Sequence, residues 1–256
     1  MARMGGRRHI KTLAAPKFWP VRGRVGVFTV KPSPGPHPAM RCIPLLIIVR
    51  DVLGYAKTGR EARKLIAEGH FKIDGRVRRN YKFPVGFMDV IEVVDTGEKY
   101  RVLPYPSRFF TLHRISDEEA RFKLGRIEDK STVKGGHVQL HLHDGRNILI
   151  RVQDPRNPVE AAKYKTLGTV KFTIPEQELL DYAPLEEGSL AIVFGGRNVG
   201  RVGRVVSIQR GMRRYRSIVT LEDVRGEKLQ TSLDYVFVIA PPGEEPWISL
   251  PEGAWK

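Results

Sequence analysis

Proline stands at every second position from Pro32 to Pro38, inside an opening 41-residue segment with nine basic side chains and no acidic one. Proline removes the N–H groups that helices and sheets need, and uncompensated charge opposes compaction. Residues 1–41 are therefore expected to form an extended basic arm without a core of its own. Phe18, Trp19 and Phe28 lie among the cations. That interleaving suits a segment that is disordered in the free chain and orders on nucleic acid. Arg7, Arg8, Lys11, Lys17, Arg22 and Arg24 are its candidate phosphate contacts.

Folded structure must then come from the rest of the 256 residues, which allow one large or two to three small domains. Hydrophobic side chains make up 41% of the chain, enough for packed cores. The net charge of +16, with 28 Arg against 16 Lys, points to a polyanionic partner. Arginine offers a bidentate fork to phosphate and a flat face to bases. A single cysteine excludes a disulfide framework and a cysteine-built metal site, and fits a reducing, intracellular compartment. The longest aliphatic run, Leu45–Val49, is too short to span a bilayer, and no secretory signal is visible, so no membrane partner is expected.

Pro44 opens an apolar segment through Leu53 that reads as a helix. Thr58 and Glu61 have capping-box spacing for a second helix, and Gly69 ends it. That helix places Ala62, Leu65 and Ile66 on one face and Arg60, Arg63 and Lys64 on another. Phe71 and Ile73 then alternate around Lys72, Asp74-Gly75 is a turn signal, and a further strand follows near Asp89–Val94. Lys72 before the turn and Arg76, Arg78 and Arg79 after it form a second basic surface beside Arg60, Arg63 and Lys64, and each surface is expected to track a run of phosphates.

From about Lys99 the pattern is mostly β. His137–His143 alternates with period two, and Asp144-Gly145 precedes a returning strand at Asn147–Val152. Val170, Phe172 and Ile174 alternate again, and Pro175 is expected to open a short acidic helix through Leu180. Strands are then expected at Leu190–Phe194, Arg204–Ile208, Ser217–Leu221 and Tyr235–Ile239, short enough for a small barrel. The loop Gly195-Gly-Arg197-Asn198-Val-Gly200-Arg201 should turn Arg197, Asn198 and Arg201 outward and Val199, Val202 and Val205 inward. Seven arginines and no acid lie between Gly195 and Arg216, and Arg204, Arg213 and Arg214 join the candidate RNA contacts. Pro241, Pro242, Pro246, Trp247 and Trp255 mark a docking tail.

Catalytic and small-ligand readings find little support. Gly195-x4-Gly200 has P-loop spacing but lacks the Lys and Ser/Thr that reach phosphate and magnesium, and it sits between strands. His137, His141 and His143 share a strand face, yet no cysteine or carboxylate set completes a metal site. Asp117, Glu118 and Glu119 read as the first turn of a short helix, and Cys42 as a buried small residue. No cofactor, metal or small-molecule substrate is expected, and no enzymatic activity.

The stretch from Thr58 to Ile91 resembles the S-four RNA-binding module of ribosomal proteins, pseudouridine synthases and some tRNA synthetases. Where that module usually carries Asn before the turn glycine, this chain has Asp74. Gly188–Val205 resembles the KOW motif of ribosomal proteins and elongation factors. Their order, with Gly5–Lys11, Ala14–Trp19 and Arg41–Leu46, resembles the archaeal and eukaryotic S-four-e family of small-subunit ribosomal proteins over nearly the whole chain. The resemblance implies a multidomain α+β architecture: arm 1–41, S-four-like αα-β module 42–98, central β-rich domain 99–176, SH3-like KOW β-barrel 177–240 and tail 241–256. It implies a structural role, binding and organising small-subunit rRNA beside neighbouring ribosomal proteins. An RNA-modifying enzyme, or a KOW-containing transcription factor, is the alternative reading of the same modules.

Overall fold

The computed structural model describes residues 8–21, 26–106, 110–154 and 156–251. The chain divides into two compact units, 1–98 and 99–256.

In the first unit, β1 (Ile10–Lys11) and β2 (Phe28–Thr29) pair antiparallel. β3 (Cys42–Pro44) leads into α1 (Leu45–Ile47), which continues as a π-turn over Ile48–Val52. Pro44 is extended and serves as the N-cap rather than the first helical residue. α2 (Gly59–Glu68) has a complete capping box: Glu61 N–H donates to the Thr58 hydroxyl, and the Glu61 carboxylate accepts from the Thr58 N–H. Gly69 closes the helix at φ 97°, a left-handed conformation that glycine adopts without steric cost. β4 (Phe71–Ile73) and β5 (Arg76–Val77) form a hairpin through Asp74 and Gly75, both at positive φ. β6 (Pro84–Gly86) pairs with β3, and β7 (Val90–Val93) with β4. Leu45–Val49, Ala62, Ile66, Phe71, Ile73 and Ile91 make the buried interior.

The arm expectation needs correction. Trp19 is buried, and its Nε1 donates to the Cys42 carbonyl at 2.8 Å. His37 is also buried, with Nε2 3.0 Å from both oxygens of Asp89. A Cβ on Gly86 would lie 2.3 Å from the His37 ring, so the glycine makes its seat. The arm builds no core of its own, but these two rings find pockets in the αα-β module, which the proline pattern alone does not reveal.

In the second unit, β8 (Lys99–Leu103) and β9 (Thr111–Arg114) form a hairpin. β10 (Phe122–Thr132), β11 (Val138–Leu142), β12 (Asn147–Ile150), α3 (Val159–Ala162), β13 (Thr169–Thr173) and β14 (Leu179–Ala183) follow. Their strands make an antiparallel sheet in the order β12-β11-β10-β13-β14. The helix expected from Pro175 to Leu180 does not form. A turn closed by Gln177 N–H to the Thr173 carbonyl leads directly into β14. Strand pairing and burial of Tyr182 and Ala183 outweigh the helical preference of Glu176–Leu180.

A second antiparallel sheet has the order β18-β17-β16-β15-β19, from β15 (Leu190–Val193), β16 (Val202–Gln209), β17 (Ile218–Glu222), β18 (Lys228–Ser232) and β19 (Val236–Ala240). β18 escapes the sequence reading because only Leu229 among its five residues is apolar. Ala191, Val205, Val219, Leu221 and Val236 fill this sheet's core. The described part of the tail folds back on its own unit: Ile248 is buried, and the Ser249 hydroxyl donates to Glu119 at 2.7 Å. Trp255 lies outside the described residues.

Candidate nucleic-acid interface

In the first unit a groove of about 880 Å³ runs between the arm and the αα-β module. Arg8, Lys31, Arg50, Lys57, Arg63 and Lys82 line it, and Asp51 is its one carboxylate among the described residues. Asp51 is spent on Arg50, which donates to it at 2.9 and 2.7 Å. Arg63 stacks 4.7 Å from the Tyr81 ring centre, and Lys82 lies 5.5 Å from the same ring. The ring holds both cations at the groove by cation–π attraction.

The predicted helix face forms: Arg60, Arg63 and Lys64 are exposed at i, i+3, i+4 spacing, and Ala62 and Ile66 are buried opposite. Leu65 is only half-buried. Lys64 lies 3.9 Å from Glu68 in an exposed pair of little energetic weight. Arg76 and Arg79 are exposed beyond the hairpin turn. Arg78 is half-buried over the Phe83 ring at 4.5 Å, and Lys72 is half-buried 3.4 Å from Glu92, its cross-strand partner. These two are partly committed to the module itself. Asp74 is buried and accepts the Val90 N–H at 2.9 Å, so its carboxylate holds the turn against the next strand.

Of the arm candidates, Arg8, Lys11 and Lys17 are exposed, and only Arg8 lines the groove. Arg7, Arg22 and Arg24 lie outside the described residues. Arg50, Lys57 and Lys82 were not singled out from sequence. An arginine inside an apolar helix and a Tyr-Lys doublet are the signals that mark Arg50 and Lys82.

In the second unit the loop after β15 turns as expected: Val199, Val202 and Val205 are buried and Arg197 is exposed. Gly200, at φ 82°, lies so close to Tyr105 and Pro106 that a Cβ would meet their backbone at 2.7–2.8 Å. Asn198 turns partly inward and donates to the Gln230 carbonyl at 3.1 Å. Arg201 lies 3.9 Å from Glu227, and Arg204 is exposed opposite Glu222. Arg213 is exposed. Arg214 is held by Glu128 at 2.7 Å and Asp234 at 2.8 Å, so its charge is neutralised within the fold. Burial alone would raise Glu128, but the Arg126 charge and hydrogen bond, with Arg214, hold it below the usual carboxylate range.

The remaining polar groups have structural work. His137 Nδ1 accepts the Val152 N–H, His143 Nδ1 accepts the Arg126 N–H, and His141 bonds Ser131 and Asn147. No group of three His, Cys, Asp or Glu suited to a metal occurs among the described residues. Asp117 pairs with Lys99 and Glu119 with buried Arg101, flanking a 3-10 turn at Glu119–Arg121. Burial, with Asp89 nearby, pushes the Cys42 thiol up to about 12, so it is protonated and inert at neutral pH.

Family models match along the chain: the RS4NT domain over residues 4–40, the S4 domain over 44–91 and the ribosomal family S4e over 96–179. A small ribosomal subunit protein eS4 from Hyperthermus butylicus is 85% identical over 256 residues, the full length of both chains. The chain belongs to the ribosomal S4e family. Other S4e relatives, both named small ribosomal subunit protein eS4, come from Staphylothermus marinus (68% identical, all of both chains) and Methanocaldococcus jannaschii (48%, covering 98% of this chain and 100% of that one). The crystal structure of the 30S ribosomal protein S4e from Thermoplasma acidophilum superposes with a TM-score of 0.66 at 27% identity, covering 81% of this chain and 99% of that one. S4e is a family of ribosomal proteins, and the expectation of a non-enzymatic role rests on that membership.

Proposed function

We propose that this chain is a structural constituent of the small ribosomal subunit that binds and organises small-subunit rRNA by phosphate and shape recognition. The full-length identity to small-subunit relatives carries the reading, and the cation-lined groove of the first unit supplies its chemistry. Arg8, Arg60, Arg63, Arg76 and Arg79 are exposed for the first contact surface. The β15–β19 sheet is read as the SH3-like KOW barrel, with Arg197, Arg201, Arg204 and Arg213 as a second. Neighbouring ribosomal proteins are the further partners, and the assembled particle in the cytoplasm is its location. Sedimentation of tagged protein from cell extract tests this. Co-migration with small subunits through a high-salt wash is expected; free sedimentation, or migration with RNA polymerase, overturns the reading.

A further inference from the structure

The bend between β16 and β17 presents an apolar and aromatic tip where charge alone would serve phosphate. Met212 is 97% exposed and Tyr215 is 55% exposed. Arg210, Arg213 and Arg216 surround them, all exposed. Arg216 Cζ lies 5.8 Å from the Tyr215 ring centre, and Arg213 reaches the Tyr215 hydroxyl at 3.5 Å. A single bare methionine is ordinary on a protein surface; here it shares one short bend with an exposed tyrosine and three exposed arginines.

The bend is also built to hold its shape. Ser217 is buried; its hydroxyl accepts the Gly211 N–H at 3.1 Å and donates to the Arg213 carbonyl at 3.2 Å. A Cβ on Gly211 would lie 2.8 Å from the Arg216 carbonyl oxygen, so only glycine closes the bend without a shift. Arg214 anchors the far side through Glu128 and Asp234. A 3-10 turn, Arg214–Arg216, sets the backbone that carries Tyr215. The tip is thus presented on a scaffold whose ordering cost is met by folding, the arrangement that favours a specific ligand over a diffuse ion atmosphere.

We propose that Met212 and Tyr215 form a platform for an unstacked RNA base, with Arg213 and Arg216 holding the phosphates on either side. The inference rests on the rRNA reading above and deepens it, because it assigns a contact to a base face rather than to backbone charge. Every base has a π face, a tyrosine ring stacks on it, and the polarisable thioether of methionine packs against it. A single-stranded bulge or loop fits this chemistry, whereas a continuous duplex offers no free base face.

Binding of the full chain to a transcript of small-subunit rRNA, measured over a range of salt concentrations, tests the proposal. Stacking and phosphate contacts separate there, because only phosphate contacts release counterions. Tyr215→Ala should weaken binding at every salt concentration by roughly 5- to 150-fold for a lost stack, and Met212→Ala by roughly 2- to 13-fold for a lost thioether contact, both with the log–log slope unchanged. Tyr215→Phe should bind nearly as the unaltered chain does. Arg213→Ala should instead flatten the slope by about one. Met212 is so exposed that its loss cannot unfold the sheet, which keeps the test sound if Tyr215→Ala is unstable. Wild-type affinity in both alanine variants would overturn the proposal alone. Normal transcript binding with loss of the variants from assembled subunits would assign the tip to a protein neighbour, also overturning it. No binding by the unaltered chain would overturn the rRNA reading as well.

Discussion

Asp144 shows how single residues carry the buried charge of the central sheet. Its side chain is fully enclosed, with Lys123 Nζ at 3.0 Å and Arg146 Nε at 3.2 Å. Burial by itself would raise this carboxyl, but the charges of Lys123, His143 and Arg146 outweigh it and hold it far below the usual carboxylate range. A carboxylate with a depressed folded pKa stabilises above its unfolded value, near 3.9, and that contribution is lost as pH falls. Asp144→Asn should therefore destabilise the second unit by about 3–5 kcal/mol at pH 7, since it leaves Lys123 buried beside a neutral group. The variant's stability should also depend less on pH below 4 than the parent's. Denaturant titrations at pH 7 and pH 3 check both; equal losses at the two pH values would show that the Asp144 charge is not the source. Cys42 gives a second residue-scale test. With its thiol buried and raised to about 12, it should resist alkylation in the native chain and react at once in denaturant.

At the scale of elements, α2 joins a structural end to a functional face. Thr58→Ala should cost the first unit about 1 kcal/mol, because one orphan N–H at the helix start loses its acceptor. Arg60→Ala and Arg63→Ala should leave stability within about 0.5 kcal/mol yet weaken RNA binding, whereas Ile66→Ala should cost about 2–5 kcal/mol without touching the basic face. Leu65→Ala should fall below that range, since Leu65 is only half-buried. Thermal melts beside RNA titrations separate the two sets, and equal melting losses would show that the helix faces are misassigned. Thr58, Glu61 and Gly69 were legible because capping and left-handed termination are local chemistry. The Asp74-Gly75 and Asp144-Gly145 turns were legible for the same reason. The Pro175–Leu180 segment is misread as a helix because its acidic composition hides a tight turn, across which Leu179 pairs with Phe172 and starts β14. Arg214 illustrates the same limit: its spacing matches an RNA contact, but Glu128 lies 86 positions away in the chain.

At the scale of the whole molecule, the arm and the net charge set how the chain meets its partner. Trp19 and His37 seat the arm on the module, so its ordering does not wait entirely for RNA. Ordering a residue costs about 1–2 kcal/mol in backbone entropy, and two buried anchors offset that cost for only part of the segment. Deleting residues 2–31 removes the Trp19 anchor, and the melting temperature should fall measurably. On the rRNA reading proposed above, the net charge of +16 acts through phosphate. Cations line one groove in the first unit, and Arg197, Arg204, Arg210, Arg213 and Arg216 are exposed in the second. Some of that charge is already spent: Lys72, Arg126 and Arg214 are neutralised by carboxylates within the fold. If the remaining cations neutralise roughly 6–10 phosphates, affinity for structured small-subunit rRNA should fall on the order of 10³–10⁵ between 50 and 200 mM salt. Lys57 and Lys82 of the αα-β module add to the groove, so the slope should exceed that of arm peptides tested alone. Filter-binding or fluorescence titrations over that range read the slope directly. A nearly flat log–log plot would show that the surplus charge serves solubility rather than phosphate contact.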